Sequence, residues 1–450
     1  MGETATLATF VADTTLGDVP DDAQDHAKQA IRDYVGVAIY GAGHEVGDKI
    51  TKYVDRCNAG EEASVFVRGR ATPAGAALAN GTFGHAIDFD DTFESIVLHP
   101  TSPIFPAALA VGETIDATGA DVLEGYVLGC EVAYRIGHST YPEHYDNGWH
   151  NTGTIGSFGA AAAAASVLGL DADGVAQAFG IVASGSSSLK KNFGTMTKPL
   201  HAGHAAEQGV RAALLAEDGF TADGEILEGD IGYGEVMTPD DGYEPTTITT
   251  DLGETWAVED IGYKPYPSGV ITHAAMEALR NLCTEVGIGV EDVATVRVAL
   301  DDAASEMLHH ERPANALQAK FSIEFCLAAV LLSDRPGVGE FTDEYVHRDD
   351  VQQTIRLVER EFEENLFGGQ FAGYGARVTV ETTDGEEHVT EMREAPGSPS
   401  NPVSDDRLRA KFLECAEARF DQERAEAVAD CVDTLDERSL STFTDLVRGG

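Results

Sequence analysis

The chain has 450 residues, enough for two or three domains with a sizeable core, and 43% of them are hydrophobic, as in a globular protein. It carries 77 Asp and Glu against 30 Lys and Arg, a formal net charge of −47. That balance excludes a general nucleic-acid binder and attraction to an anionic membrane, both of which need a basic face.

The first 220 residues read as helix after helix. Asp21–Ala42 opens with acidic residues and spaces Ala27, Ile31, Tyr34, Val35 and Ala38 on one face. Pro73–Ile87, Pro103–Thr118, Ala120–Gly137, Thr154–Gly169, Asp173–Ser184 and Ala202–Asp218 follow the same pattern. Leu168-Gly-Leu-Asp171 is a helix stop followed by a new N-cap. Small residues crowd Gly153–Ala183, which predicts closely packed central helices.

Residues 222–272 are rich in Gly, Pro, Thr and Asp and read as long loops and a linker. Val293–Leu300 is a β-branched run, Ala314–Leu332 an apolar helix and Val351–Asn365 a second helix. Ala376–Glu381 and His388–Arg393 flank a Thr-Asp-Gly turn and predict a β-hairpin. Gly397–Pro402 is a second linker, and the tail from Asp405 is helical again. The expectation is a mainly α fold with an α+β lid. A large all-helical domain, 1–255, is rejoined by 397–450, and a smaller α+β domain is inserted at 256–396.

The six cysteines show no C-x-x-C spacing, so neither a zinc ribbon nor an iron–sulfur cluster is signalled. No apolar run reaches about 18 residues, and the N-terminus lacks a basic flank before an apolar stretch. A cytoplasmic protein with reduced thiols is expected. Nine lysines against 21 arginines, with so many acids, suggest adaptation to high salt, where carboxylates hold water and their repulsion is screened.

In so acidic a chain, positive charge is informative. Residues 151–215 hold three acids and four bases, and seven of the fourteen histidines lie between His85 and His204. Such a segment suits an anionic substrate, although a buried helical core is also depleted of charge. Four short stretches stand out. His85-Ala-Ile-Asp88-Phe-Asp90-Asp91-Thr92, followed by Leu98-His99-Pro100, holds an acid cluster whose metal-binding reading is weaker than that of a cap or solvated face. Gly148-Trp149-His150-Asn151-Thr152-Gly153 is a turn-rich histidine site. Gly194–His201 sets Lys198 beside Pro199, at a helix N-terminus where anions are favoured. Lys264-Pro265-Tyr266-Pro267 is a stiff extended stretch bearing a lysine. His201-Ala-Gly-His204 has the spacing of a zinc pair but lacks a third ligand, so structural histidines are expected.

These stretches, in this order, resemble the MmgE/PrpD family. The matching words are N-G-T-F-G-H-A-I-D-F-D-D-T from Asn80, H-P-T-S-P-I-F-P-A-A-L-A from His99, G-W-H-N-T-G-T-I-G-S-F-G from Gly148 and G-T-M-T-K-P-L-H-A-G from Gly194. K-P-Y-P at Lys264 and A-K-F-S from Ala319 also fit, and the similarity reaches about residue 415. The resemblance implies a homodimer with a cofactor-free active site between a helical domain and an α+β lid. It implies a lyase or isomerase acting on a small di- or tricarboxylate, by dehydration, decarboxylation or epimerisation. It carries over Asp88, Thr92, His99, His150, Lys198 and Lys264 as active-site positions. Proton removal beside a carboxylate needs a base and nearby cations. His150 is the expected base, His99 its partner or the acid, and Asp88 the carboxylate that orients a histidine. Lys198 and Lys264 would clamp carboxylates, with Thr92 donating a hydrogen bond. Two departures bear on the reaction. Phe325 stands where the decarboxylase branch has tyrosine, which counts against decarboxylation by that route. His99-Pro-Thr-Ser-Pro103 stands where the dehydratase branch reads H-P-S-D-N. Dehydration of a 2-methylcitrate-like substrate is the leading expectation, with an epimerase or a cis-aconitate decarboxylase-like enzyme as the alternative.

Overall fold

The computed structural model describes residues 2–238, 242–368 and 374–449, so residues 239–241 of the expected linker lie outside it. The chain divides into two compact units, one of residues 1–86, 90–262 and 409–450, the other of residues 87–89 and 263–408.

The first unit is helical. Its main elements are α1 (Asp21–Ala42), α2 (Pro73–Gly84), α3 (Thr101–Thr114), α4 (Gly119–Thr140), α5 (Asn151–Val167), α6 (Ala172–Ala183) and α7 (Thr197–Glu217). A small antiparallel pair, β1 (Ala63–Val65) and β2 (Gly69–Ala71), precedes α2. Local chemistry starts the helices where expected. The Thr72 hydroxyl accepts from Gly75 N–H and Pro73 opens α2. Asp171 caps α6 by accepting from Gly174 N–H. Gly169 takes the left-handed conformation that ends α5.

The centre of this unit is α5, which is buried along almost its whole length. Its glycines and alanines are the reason. A Cβ at Gly129 of α4 or at Gly159 of α5 would fall within 2.7 Å of the other's carbonyl oxygen. No helix among the described residues is long and apolar enough to cross a membrane.

The second unit is α+β. Its sheet runs β4–β3–β5–β6, built from β3 (Val293–Asp301), β4 (Val358–Glu363), β5 (Tyr374–Thr382) and β6 (Glu387–Glu394). β3 pairs parallel with β4 and antiparallel with β5, and β5 pairs antiparallel with β6. Val296, Val298 and Leu300 of β3, with Ala376, Val378 and Val380 of β5, point alternately into one core. The helices α8 (His273–Val286) and α9 (Ile323–Ser333) complete that core.

Two expectations here are corrected. Val351–Asn365 is not one helix: Asp349–Thr354 is helical, and the chain then becomes β4. Ala314–Leu332 is broken, because Ser322 caps a new helix by accepting from Phe325 N–H. Helices Glu3–Asp13, Glu45–Cys57 and His273–Val286 were unforeseen.

Candidate active site

Helix ends deliver the candidate groups of the first unit. His85 sits at the C-cap of α2, and His99 lies two residues before α3. His150 is the N-cap of α5. Lys198 is the second residue of α7, with His201 one turn on along the same helix. All five side chains are buried, as are Asp90 and Asp91.

Their rings and charges converge. The His85 and His99 ring centres are 4.5 Å apart, and the His85 and His150 rings stack at 5.8 Å. His150 Nδ1 lies 3.0 Å from His201 Nδ1. The His150 ring also meets the face of Phe193 at 4.9 Å, and Lys198 Nζ lies 5.3 Å from that Phe193 ring.

Asp90 is the carboxylate on the histidines. It accepts from His85 Nδ1 at 3.0 Å and from the Ser102 hydroxyl at 2.6 Å, and its other oxygen is 3.5 Å from His99 Nδ1. This is the orienting role expected of Asp88. The Asp90–Asp91 pair is neither a helix cap nor a solvated face, as its sequence context suggested. Asp91 accepts from the Thr101 hydroxyl at 2.5 Å, and burial pushes its carboxyl well above the usual range.

Burial and neighbouring groups disfavour charge on His150 and His201. Burial first, then His201, Lys198, His85 and His99, holds His150 well below the ordinary histidine value. Its place at the positive end of α5 acts in the same direction. Burial, then His85, Lys198 and His204, brings His201 down to about 4. A neutral imidazole can accept a proton, so the cluster holds competent bases beside a buried ammonium.

The remaining expected residues have partners of their own. Asp88 and Lys264 belong to the second unit, where Lys264 Nζ donates to Asp88 Oδ1 at 2.5 Å and to its backbone carbonyl at 3.1 Å. Thr92 is buried in the first unit, exchanging backbone hydrogen bonds with Gly262 at 2.9 and 2.8 Å. Phe325 is fully buried in the second unit, edge-on to Phe341 and Tyr345.

Donor atoms of His85, Asp90 and His99 lie within 4.8 Å of one another, a set of the type that can hold a divalent cation. In the structure Asp90 already accepts from His85 and Ser102, and the three groups read as a hydrogen-bonded set. Sequence reasoning gave His85, Asp90 and His201 no catalytic part. The one available signal was the i,i+3 spacing of Lys198 and His201 on a shared helix face.

Two family models and several known proteins match this chain. The MmgE/PrpD N-terminal domain matches residues 5–246, and the MmgE/PrpD C-terminal domain matches residues 266–437. Cis-aconitate decarboxylase of Mus musculus is 26% identical over 99% of this chain and 93% of its own length. A cis-aconitate decarboxylase-like protein of Aspergillus oryzae is 27% identical, covering 99% of this chain and 97% of its own. The cis-aconitate decarboxylase of Aspergillus terreus is 26% identical, covering 97% and 93%.

Proposed function

The chain belongs to the MmgE/PrpD family, and from that premise we propose that it is a cofactor-independent lyase acting on a small tricarboxylate by general acid–base chemistry. One observation carries the reading: four buried histidines, 85, 99, 150 and 201, gather with the buried ammonium of Lys198. His150 takes the proton next to a substrate carboxylate. His99, beside Asp90, returns a proton to the leaving group or to carbon. Lys198 meets the substrate's carboxylate and the charge that grows on it in the transition state. Asp88, Lys264 and Thr92 complete substrate binding in this reading.

Elimination of water from a hydroxy-tricarboxylate of the 2-methylcitrate kind is the first reaction to test. Decarboxylation of cis-aconitate is the second, favoured by the names of the relatives. Both begin from the same anion-holding, proton-handling cluster. The test is proton NMR of citrate, 2-methylcitrate, citramalate and cis-aconitate with the folded protein in deuterated, high-salt buffer. A new alkene signal identifies dehydration, and loss of a carboxylate identifies decarboxylation. Deuterium entering beside a carboxylate with no other change identifies an epimerase instead. No change in any of the four compounds would refute the lyase reading.

A further inference from the structure

Two ring nitrogens 3.0 Å apart, His150 Nδ1 and His201 Nδ1, must hold one proton between them. Two N–H groups facing each other would clash, and two lone pairs would repel. With both rings neutral, one is therefore the Nδ1–H tautomer and the other the Nε2–H tautomer. The arrangement is held from outside the pair. His150 N–H donates to the Ser188 carbonyl at 3.2 Å, and the Ser188 hydroxyl donates back to the His150 carbonyl at 2.8 Å. Phe193 packs against the His150 ring at 4.9 Å, nearly perpendicular to it. His201 is fixed on α7, three residues after Lys198.

We infer that His150 and His201 work as a single proton-sharing pair, with His201 as the positioning residue that receives the inner proton when His150 acts as base. This rests on the acid–base reading above. In the ready state His150 Nδ1–H donates to His201 Nδ1, which leaves the lone pair on His150 Nε2. When His150 Nε2 removes a proton from the substrate, the C–H electron pair stays on carbon. The inner proton then moves from His150 Nδ1 to His201 Nδ1. One proton has left carbon, and one positive charge has passed to His201. Charge spread over two rings costs less in a buried site than charge kept on one.

The reverse of that sequence makes the same ring an acid. After proton removal His150 carries a proton on Nε2, and His201 carries the inner proton as well as its own on Nε2. When the inner proton returns over 3.0 Å to His150 Nδ1, His150 gives up its Nε2 proton and both rings are neutral again. The charged and titratable groups facing the pair are Lys198, His85, His99 and His204, the last beside Glu207 at 3.8 Å. Lys198 and the neighbouring rings disfavour a lone imidazolium, which makes a second ring to share the charge more valuable.

The test needs no substrate. The whole protein is labelled with ¹⁵N-histidine, and the two rings are assigned from His150→Gln and His201→Asn. The expected spectrum near pH 7 shows one Nδ1–H ring and one Nε2–H ring, with nitrogen–nitrogen coupling across the hydrogen bond. The same tautomer in both rings, without coupling, would overturn the proposal. His201→Asn keeps an acceptor for the His150 Nδ1–H but cannot take the proton, whereas His201→Phe removes both functions. On whichever of the four carboxylates the wild type consumes, His201→Phe should lower kcat about tenfold to a hundredfold with KM within about twofold. His201→Asn should recover part of that loss. Wild-type kcat in a folded His201→Phe variant would also overturn the pair. If the wild type consumes none of the four, the lyase reading fails while the spectrum still decides the pair.

Discussion

His144, buried near the candidate site, shows how one ring ties stability to pH. Its Nδ1–H donates to the Met237 carbonyl at 2.9 Å, so Nε2 accepts from the Thr154 hydroxyl at 2.8 Å. Both nitrogens are used in the neutral form, and burial brings its pKa from 6.5 to about 4. As pH falls through that window the unfolded chain binds a proton that the folded chain refuses, so stability is lost. The loss amounts to about 3 kcal/mol by pH 4. The unfolding free energy of wild type relative to His144→Gln should fall from pH 7 to pH 4 in urea titrations. A difference that stays constant with pH would contradict this. At Lys198 the expected effect is on catalysis: Lys198→Ala should cost about 2–4 kcal/mol in kcat/KM, since substrate contact and transition-state charge both depend on it. Unchanged kinetics would place the site elsewhere. At this scale the sequence named three members of the cluster, His99, His150 and Lys198. It gave no such part to His85, Asp90 or His201, because positions 85, 90, 150 and 201 become neighbours only through packing.

Between elements, close helix approach does the positioning. α7 crosses α2 where Gly203 lies against the Leu78 carbonyl and Thr82, and a Cβ at Gly81 would in turn lie 2.9 Å from Gly203 Cα. A backbone oxygen cannot step aside as a flexible side chain can. Gly203→Ala should therefore destabilise by about 1–3 kcal/mol through overpacking, read from the urea midpoint. It should also displace His201, two residues earlier, and lower activity. A variant as stable and active as wild type would show that the helices have slack. Periodicity served well for the helices of the first unit and for the hairpin of β5 and β6. It failed at Val358–Glu363, whose Val-Glu-Arg-Glu-Phe-Glu alternation fits a strand but continues a helix-like run of polar residues. Parallel pairing with β3, about sixty residues earlier, decides that segment, and nothing local announces it.

For the whole molecule, charge sets the conditions of work. Thirty bases cannot pair with 77 acids, so most carboxylates have no basic partner. Many of the ion pairs present are at least partly exposed, such as Arg297 with Glu387 and Arg377 with Glu391. We propose that the protein is built for high salt. Raising the salt from about 0.1 M to 1 M shortens the screening length from about 10 Å to 3 Å. The urea midpoint should therefore rise with potassium chloride over that range and beyond it, although surface ion pairs weaken. A midpoint that is flat or falls with salt would refute this. Screening also removes the repulsion between an acidic surface and an anionic substrate, leaving the buried Lys198 to act at short range.

The sequence by itself determined the fold class, the positions of most helix starts, the charge economy of the surface and the family words around His99, His150 and Lys198. These follow from local rules: capping groups, hydrophobic period and residue chemistry act within a few positions along the chain. Only the tertiary structure decided that Asp90 meets the histidines, that Lys264 holds Asp88, that Phe325 is a core residue and that His150 Nδ1 faces His201 Nδ1. Each is a distance of about 3 Å, or a burial, between groups far apart in the chain. Such distances are set by how helix ends are brought together in the packed core, which no short stretch of sequence contains.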